Sequence, residues 1–205
     1  AAPGVLLITE TNVPHADKGG AAVSLIERQV QLLRDRNFQS ENQLHQLLSV
    51  ARENDRLGES LHRLALSLLS VDGLQHIPAL TRQRLLDDFR VEWVAVRVAC
   101  QHDLPAQTPE WQSGEALQDL LALVKKRVQM GVELATTHKT ALFGDDAGLI
   151  QSVALIPLQG ERIFGLIALG SQDPERYNPR VGTLILERIG ELVSAALETW
   201  MRKTP

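Results

Sequence analysis

The sequence predicts an α+β fold, in which an antiparallel sheet flanked by helices follows a long N-terminal coiled-coil helix. Two observations predict this fold. Apolar residues near the beginning of the chain recur with a seven-residue period, which is typical of helices that supercoil around a partner. Later in the chain, short runs of β-branched residues alternate with amphipathic helical segments. We therefore expect a coiled-coil extension over residues 1–57 and an α+β domain over residues 58–205.

The N-terminal helix carries its apolar residues on one seam. With Val23 at heptad position a, valine and leucine recur at a, and isoleucine and leucine recur at d. Such a seam predicts that two copies of the chain form a homodimer. The residues predicted to form the dimer interface are Val23, Ile26, Val30, Leu33, Asn37, Leu44 and Leu47.

Polar residues interrupt this seam at Asn37 and Ser40. One interpretation is that they simply end a short apolar stripe. The other is that Asn37 pairs with its symmetry mate and fixes the register of the dimer, as a buried asparagine at position a does. The sequence leaves both interpretations open.

The sequence of the first half of the domain predicts two helices, one strand and then a third helix. We expect helices over "ESLHRLALSLLS" and "IPALTRQRLLDDF", with Pro78 in the first turn of the second. The run "VEWVAVRVA", Val91 to Ala99, predicts a strand. A polar loop from Cys100 to Gly114 precedes a third predicted helix, "EALQDLLALVKKRVQ".

The second half of the domain gives the clearest signals. The apolar runs "SVALIPL" and "RIFGLIALG" are separated by "QGE", which predicts an antiparallel hairpin. A long amphipathic helix follows, for which Asn178 is the expected N-cap and Pro179 the first helical residue.

Composition excludes several classes of function. The formal net charge of −4 is spread over charges of mixed sign, so we expect no nucleic-acid partner. No apolar run approaches the roughly 20 residues that span a bilayer, so we expect no membrane partner. Cys100 is the only cysteine, which excludes an internal disulfide and favours a cytoplasmic location.

Arg97 is the most interesting candidate for ligand binding. Strand alternation places Trp93, Ala95 and Arg97 on one face of the predicted strand and the valines on the other. If the first face lines a pocket, the guanidinium can bind an anionic ligand. The alternative is an arginine that reaches water or pairs with a nearby acid, which is the interpretation that we favour.

The stretch "LFGDDAG" places Asp145 and Asp146 next to each other. Paired carboxylates can bind a hard cation or act as acid and base. Adjacent residues on an extended chain point in opposite directions, however, and the glycines are typical of a turn. We therefore expect a turn that rims the pocket, no metal site, and a solvent-facing strand or loop position for His138. The candidate pocket residues are Trp93, Arg97, Trp111, Phe143, Asp145 and Ser152.

The segment from Ser152 to Leu197 resembles the end of a GAF domain. It contains a strand ending in Pro157-Leu158, a turn with Gly160, the strand "GLIALGS", an acidic-aromatic loop and a long helix. Together with "SLIERQVQLLRDRN", "ARENDRLGESLHRLAL" and "LFGDDAG", the chain resembles a bacterial GAF-like family known only as a domain of unknown function. The resemblance implies helices on one face of the sheet, a small-molecule pocket on the other, and dimerisation through the first and last helices.

The sequence departs from the known chemistries of GAF domains. It lacks the Asn-Lys-x-x-x-Phe-x-x-x-Asp-Glu pattern of cyclic-nucleotide binders. A single cysteine cannot form the disulfide of the GAF-like methionine sulfoxide reductases, and Cys100 lacks the surroundings of a bilin attachment site. We therefore predict a non-enzymatic, small-molecule sensing or signalling module with an unknown ligand or cofactor. A structural adaptor that uses the coil and the fold to bind an unidentified protein is the alternative.

The seam predicts a dimer in solution. Light scattering at micromolar concentration should give about twice the 22.7 kDa mass of one chain, because burying the apolar stripe drives association. A uniform species with the mass of one chain would contradict the prediction.

Overall fold

The computed structural model describes residues 18–99, 110–112, 115–180 and 182–203, with side chains from Glu27 onward except at 111–116 and 203. The described elements are as follows: helix α1 Lys18–Leu69, a 3-10 helix Leu74–His76, helix α2 Ile77–Asp87, strands β1 Trp93–Ala99 and β2 Trp111–Gln112, helix α3 Glu115–Ala122, strand β3 Gln129–Met130, helix α4 Thr136–Phe143, a second 3-10 helix Gly144–Leu149, strands β4 Ser152–Gln159 and β5 Ile163–Ser171, and helix α5 Leu184–Lys203. The order confirms the predicted α+β class.

The chain divides into two compact units between Glu53 and Asn54. In the first unit the described residues belong to the single helix α1, and every side chain from Glu27 to Glu53 is exposed. The long N-terminal helix is therefore confirmed. The coiled coil and the boundary between residues 57 and 58 stay predictions.

The second unit is built on one sheet. In the described part of the chain its five strands lie in the order β2-β1-β5-β4-β3. β4 and β5 form the predicted antiparallel hairpin, with Leu155 opposite Ala168, and β1 lies antiparallel to β5. The pair of β1 and β2 is parallel, whereas the other pairs in the sheet are antiparallel, as predicted.

One face of the sheet packs against the end of α1, α2 and α5. Val94, Val96 and Val98 of β1 belong to this core, as the predicted alternation requires. α5 packs closely on β4, because a Cβ on Gly190 would lie 2.7 Å from Cγ2 of Ile156. Glycine at this position lets the helix cover the sheet without a gap.

The end of α1 is fixed to the end of α2 by polar contacts. Nη1 of Arg56 donates to the carbonyl oxygen of Asp88 at 2.9 Å, and Nε of Arg63 donates to its carboxylate at 3.2 Å. Ser60, fully buried, lies 3.1 Å from the same carbonyl oxygen. These contacts give hydrogen-bond partners to the carbonyl oxygen at the C-terminal end of α2, which no further turn of the helix satisfies.

The other face of the sheet is covered by α3, α4 and the segments that follow them. Leu120, Val124 and Leu142 are buried against Ala95 and Leu155. The centre of this face is therefore filled by the protein's own side chains rather than open to a ligand.

The predicted end of α3 and the predicted start of α5 are wrong. α3 ends at Ala122 instead of Gln129, because the chain turns and the Gln129 side chain accepts a bond from the Lys125 amide at 2.7 Å. α5 begins at Leu184 instead of Pro179. Asn178 does accept from a backbone amide, that of Arg180 at 3.0 Å, but it stabilises a turn before the helix.

The segment around the paired aspartates is helical. His138 lies on α4 instead of the predicted strand or loop. Gly144, at φ 62, ends α4, and Asp145 and Asp146 form the first turn of the following 3-10 helix. The chain does turn between Phe143 and Ile150, by way of a short helix rather than an extended loop.

Candidate functional site

A cleft of about 350 Å³ lies at the outer edge of β1, between α2 and the end of α4. We call it the β1-edge cleft. Its apolar lining comes from α2, β1 and α4. Its charged lining comes from α2, β1 and the second 3-10 helix, and from Glu92 and Glu110, which directly precede β1 and β2. The lining residues are Arg82, Leu86, Glu92, Trp93, Val94, Arg97, Glu110, Leu142, Phe143 and Asp146.

The cleft lies where β1 lacks a neighbouring strand in the described residues. β2 pairs with β1 through Val98 and Ala99, whereas Trp93 to Arg97 pair with β5 on the other side. The first part of β1 therefore presents an edge on which α2 and α4 leave space. An open edge with nearby side chains is a place where an extended or small ligand can reach backbone groups.

Arg97 connects β1 to the end of α4. Its Nη2 donates to the carbonyl oxygens of Ala141 and Leu142, both at 3.0 Å, and its Nη1 donates to that of Val96 at 3.0 Å. The guanidinium thus caps carbonyl groups in the last turn of α4, where a cation is favourable. We favoured an arginine that reaches water or pairs with a nearby acid. In the structure Arg97 instead donates to backbone carbonyl oxygens and caps a helix.

The Arg97 cap leaves one donor unpaired. Nε is buried without a hydrogen-bond partner among the described residues. Burial lowers the pKa of Arg97, Glu110 opposes this shift, and Arg82 adds to it by repulsion. The guanidinium is therefore less well compensated than its three bonds suggest, although an arginine stays protonated at neutral pH.

Glu92 fixes the opposite end of β1. Its carboxylate accepts from the Ser171 hydroxyl at 2.7 Å, the Gln172 amide at 2.8 Å and Nη1 of Arg176 at 3.2 Å. The bond from the Gln172 amide is the largest cause that holds the pKa of Glu92 below its ordinary value, with Ser171 and Arg176 adding to it against burial. Glu92 is thus a structural anchor that happens to line the cleft.

The structure brings together three of the six predicted pocket residues. Trp93, Arg97 and Phe143 line the β1-edge cleft. Asp145 is exposed and does not line the cleft, whereas its neighbour Asp146 does. The backbone of Trp111 forms β2, but its side chain is not among those described, and the same holds for the side chains of Val23 and Ile26 on α1. Cys100 lies outside the described residues.

Ser152 belongs to a different cavity. It is buried, and its hydroxyl donates to the carbonyl oxygen of Asp173 at 2.6 Å. The cavity of about 360 Å³ beside it also contains Tyr177 and Lys139. The hydroxyl is already bonded to the backbone, so Ser152 stabilises the start of β4, and it does not line the β1-edge cleft.

Sequence reasoning missed the residues that α2 contributes. Arg82 and Leu86 lie four residues apart on α2, so they share one helix face, but nothing local shows that this face meets β1. Asp146 was missed because adjacent residues were placed on an extended chain. In a 3-10 helix the two carboxylates are not opposed, and Asp146 is the one that reaches the lining.

A larger cleft of about 760 Å³ lies between residues 126–128, β4 and α5. Its walls are a basic segment, Lys126 and Arg127, and an acidic stripe that includes Glu187 and Glu191. It contains none of the predicted pocket residues. Since ligand sites are mostly apolar or aromatic with a few placed polar groups, the β1-edge cleft, with Trp93 and Phe143, is the better candidate.

The described residues contain neither a metal-binding cluster nor a membrane-spanning helix. Within them, no group of three or more histidine, cysteine, aspartate or glutamate side chains could hold a metal ion. No helix in this part of the chain is both long enough and apolar enough to span a bilayer.

Residues 5–202 match the family described as "Protein of unknown function, DUF484". The chain belongs to the DUF484 family. The match covers both units, and the family description assigns no activity to it. No curated protein matches this DUF484 chain.

Solved structures of GAF domains are similar to this DUF484 chain. The GAF domain of the Acinetobacter phosphoenolpyruvate-protein phosphotransferase is 12% identical, with a TM-score of 0.51, and the match covers 72% of this chain and 95% of that one. The native GAF domain of the potassium sensor histidine kinase KdpD from Escherichia coli is 19% identical, with a TM-score of 0.47, over 71% and 96%. The predicted GAF-like fold is confirmed.

Replacing Glu92 with glutamine should make this DUF484 chain less sensitive to acid. The folded state lowers the pKa of Glu92, so its stabilising effect is present above the ordinary pKa of 4.5 and is lost as the pH falls through the folded value. Denaturant unfolding should show a lower stability for Glu92→Gln at pH 7 and a smaller loss below pH 4.5. The exposed Glu191→Gln is the matched control, and identical acid profiles for Glu92→Gln and the wild type would contradict the prediction.

Proposed function

We propose that this chain is a non-enzymatic sensing module that acts as a coiled-coil homodimer and binds a small molecule in the β1-edge cleft. The GAF-like fold supports a sensing or signalling role in general terms. The observation that carries the proposal is the cleft itself. It combines an aromatic and apolar wall with two arginines at an open sheet edge, and its volume of about 350 Å³ lies within the range of ordinary ligand sites.

The polar groups of the cleft suit binding better than catalysis. Glu92 and Arg97 are both held in place by three hydrogen bonds to other parts of the chain. A general acid or base must exchange a proton with the substrate, and a carboxylate whose pKa is lowered by fixed donors is a weak base. Such fixed groups instead favour a preorganised binding site.

The homodimer is supported by the apolar side chains of the first unit. Val30, Leu33, Leu44 and Leu47 lie on α1 with 41 to 66% of their surface exposed in the single chain. A stripe of this kind is unfavourable in water and marks an interaction site. Because the four residues occupy positions a and d of one heptad frame, a second copy of the same helix matches them.

The second unit has a further apolar surface that fits the same assembly. A groove of about 320 Å³ runs between the end of α1 and α5, lined by Leu68, Leu192 and Trp200 among others. Leu69, which also lines the groove, is 83% exposed. We propose that the first and last helices of two chains meet here, so that the dimer contact includes the domain that carries the cleft.

In this proposal the ligand acts by changing helix packing. The ligand would have to bind two arrangements of the dimer with different affinity, since a ligand that binds both equally shifts nothing. The partner that reads the change would dock on the dimer from outside.

The alternative function is a structural adaptor, and one observation favours it. The centre of the sheet face opposite α5 is filled by Leu120, Val124 and Leu142. A domain whose sheet face is packed in this way can serve as a rigid scaffold, with the exposed stripe of α1 as the working surface. The two functions differ in whether the cleft at the edge of that face holds a ligand.

Native mass spectrometry of protein purified from its own host distinguishes the two functions. We expect a small molecule to co-purify with the wild type, and Phe143→Ala should weaken its retention about tenfold, because an aromatic contact contributes roughly 1.4 kcal/mol. Phe164→Ala, which truncates a half-buried aromatic residue away from the cleft, should retain it. A wild-type protein without a bound molecule, or equal loss in both variants, would favour the adaptor.

A further inference from the structure

We propose that the β1-edge cleft takes a small organic anion, carrying a carboxylate or phosphoryl group, which Arg97 of β1 and Arg82 of α2 bind together. This inference rests on the proposed function and adds the class of ligand. The element that would respond to the ligand is the last turn of α4.

The guanidinium of Arg97 is not matched by an opposite charge among its hydrogen-bond partners. Its three acceptors are neutral backbone carbonyls, and its Nε has no partner among the described residues. An ionised carboxylate or phosphate attracts the guanidinium with a full negative charge and is often bound through two parallel hydrogen bonds, which a single neutral carbonyl does not offer. An anion in the cleft would therefore compete well for this side chain.

Arg82 adds a second guanidinium to the same cleft. It is exposed on α2, and the structure gives it no ion pair or hydrogen bond within the described residues. It is close enough for its charge to lower the pKa of Arg97. Two guanidinium groups that repel each other across a small cleft are both stabilised when an anion lies between them.

The acidic residues of the cleft restrict which anions can bind, but they leave an anionic ligand possible. The Glu92 carboxylate is already bonded to Ser171, Gln172 and Arg176, so it does not compete for the two arginines. Glu110 and Asp146 remain as acceptors. The ligand that satisfies all these groups is an anion that also carries hydroxyl or amino donors, with a short carbon skeleton against Trp93 and Phe143.

Binding in this way would change α4. The Nη2 atom of Arg97 holds the carbonyl oxygens of Ala141 and Leu142, and the helix ends one residue later at Phe143. An anion that takes over the guanidinium would remove this cap, and an uncapped last turn frays. The second 3-10 helix follows directly and would then become more mobile. Ligand binding in the cleft would in this way change the conformation of a segment at the surface of the domain.

The test is an amide NMR titration of the full chain with three matched probes at constant ionic strength: glycerol, glycerate and glycerol phosphate. We expect saturable binding of at least one of the two anions at the cleft and none of neutral glycerol. The source of the charge is distinguished by which anion binds. Arg82→Gln and Arg97→Gln should each weaken this binding tenfold or more, and the exposed Arg180→Gln, with the same change in net charge, should leave it unchanged.

Hydrogen exchange provides the second readout. The bound anion should accelerate exchange of amides in the last turn of α4 and in Gly144–Leu149, whereas a merely structural role of Arg97 predicts no ligand-dependent change there. Absence of saturable binding by both anions, or binding that neither arginine variant weakens, would overturn the inference. Because Arg82 is exposed, Arg82→Gln keeps the test valid if Arg97→Gln fails to fold.

The two proposals fail in different ways. A neutral molecule recovered from the cleft by native mass spectrometry would overturn the anion assignment and leave the sensing function in place. An empty wild-type protein that also ignores both anions would overturn both.

Discussion

The sheet of the second unit is apolar on both faces, and the remaining elements of that unit are arranged to cover it. β4 is buried from Ser152 to Leu158, and β5 from Gly165 to Ser171, so neither strand has a face that tolerates water. The end of α1, α2 and α5 cover one face, while α3 and α4 cover the other. A sheet buried in this way leaves room for a ligand at its edges, and the β1-edge cleft is such a place.

Arg97 shows how the same constraint produces a functional candidate. A charged side chain on a buried sheet face needs partners, and the face offers carbonyl groups at the end of α4. The side chain thereby stabilises the packing of α4 on β1 and stays at the wall of the cleft. A group that both fixes a helix end and can bind a ligand is well placed to couple the two.

The sequence predicted the features that depend on local patterns. Alternation in β1 placed the valines and Arg97 on the correct faces, and the hairpin followed from two apolar runs around a short turn. The predicted start of α5 was wrong because Asn178 and Pro179 suit a turn as well as a helix start. The local sequence does not distinguish the turn from the helix start. Trp93, Arg97 and Phe143 of the cleft were predicted. Arg82 and Leu86 were not, because α2 meets β1 only through long-range packing.

Fluorine NMR of protein labelled with fluorotryptophan tests the location of the site most directly. The chain has three tryptophans, of which Trp93 lines the β1-edge cleft and Trp200 lies on α5 beside the apolar groove. Adding a protein-free metabolite extract from the host should shift the Trp93 resonance and leave that of Trp200 in place. A Trp93 resonance that stays fixed while the Trp200 resonance moves would contradict a ligand site at the sheet edge.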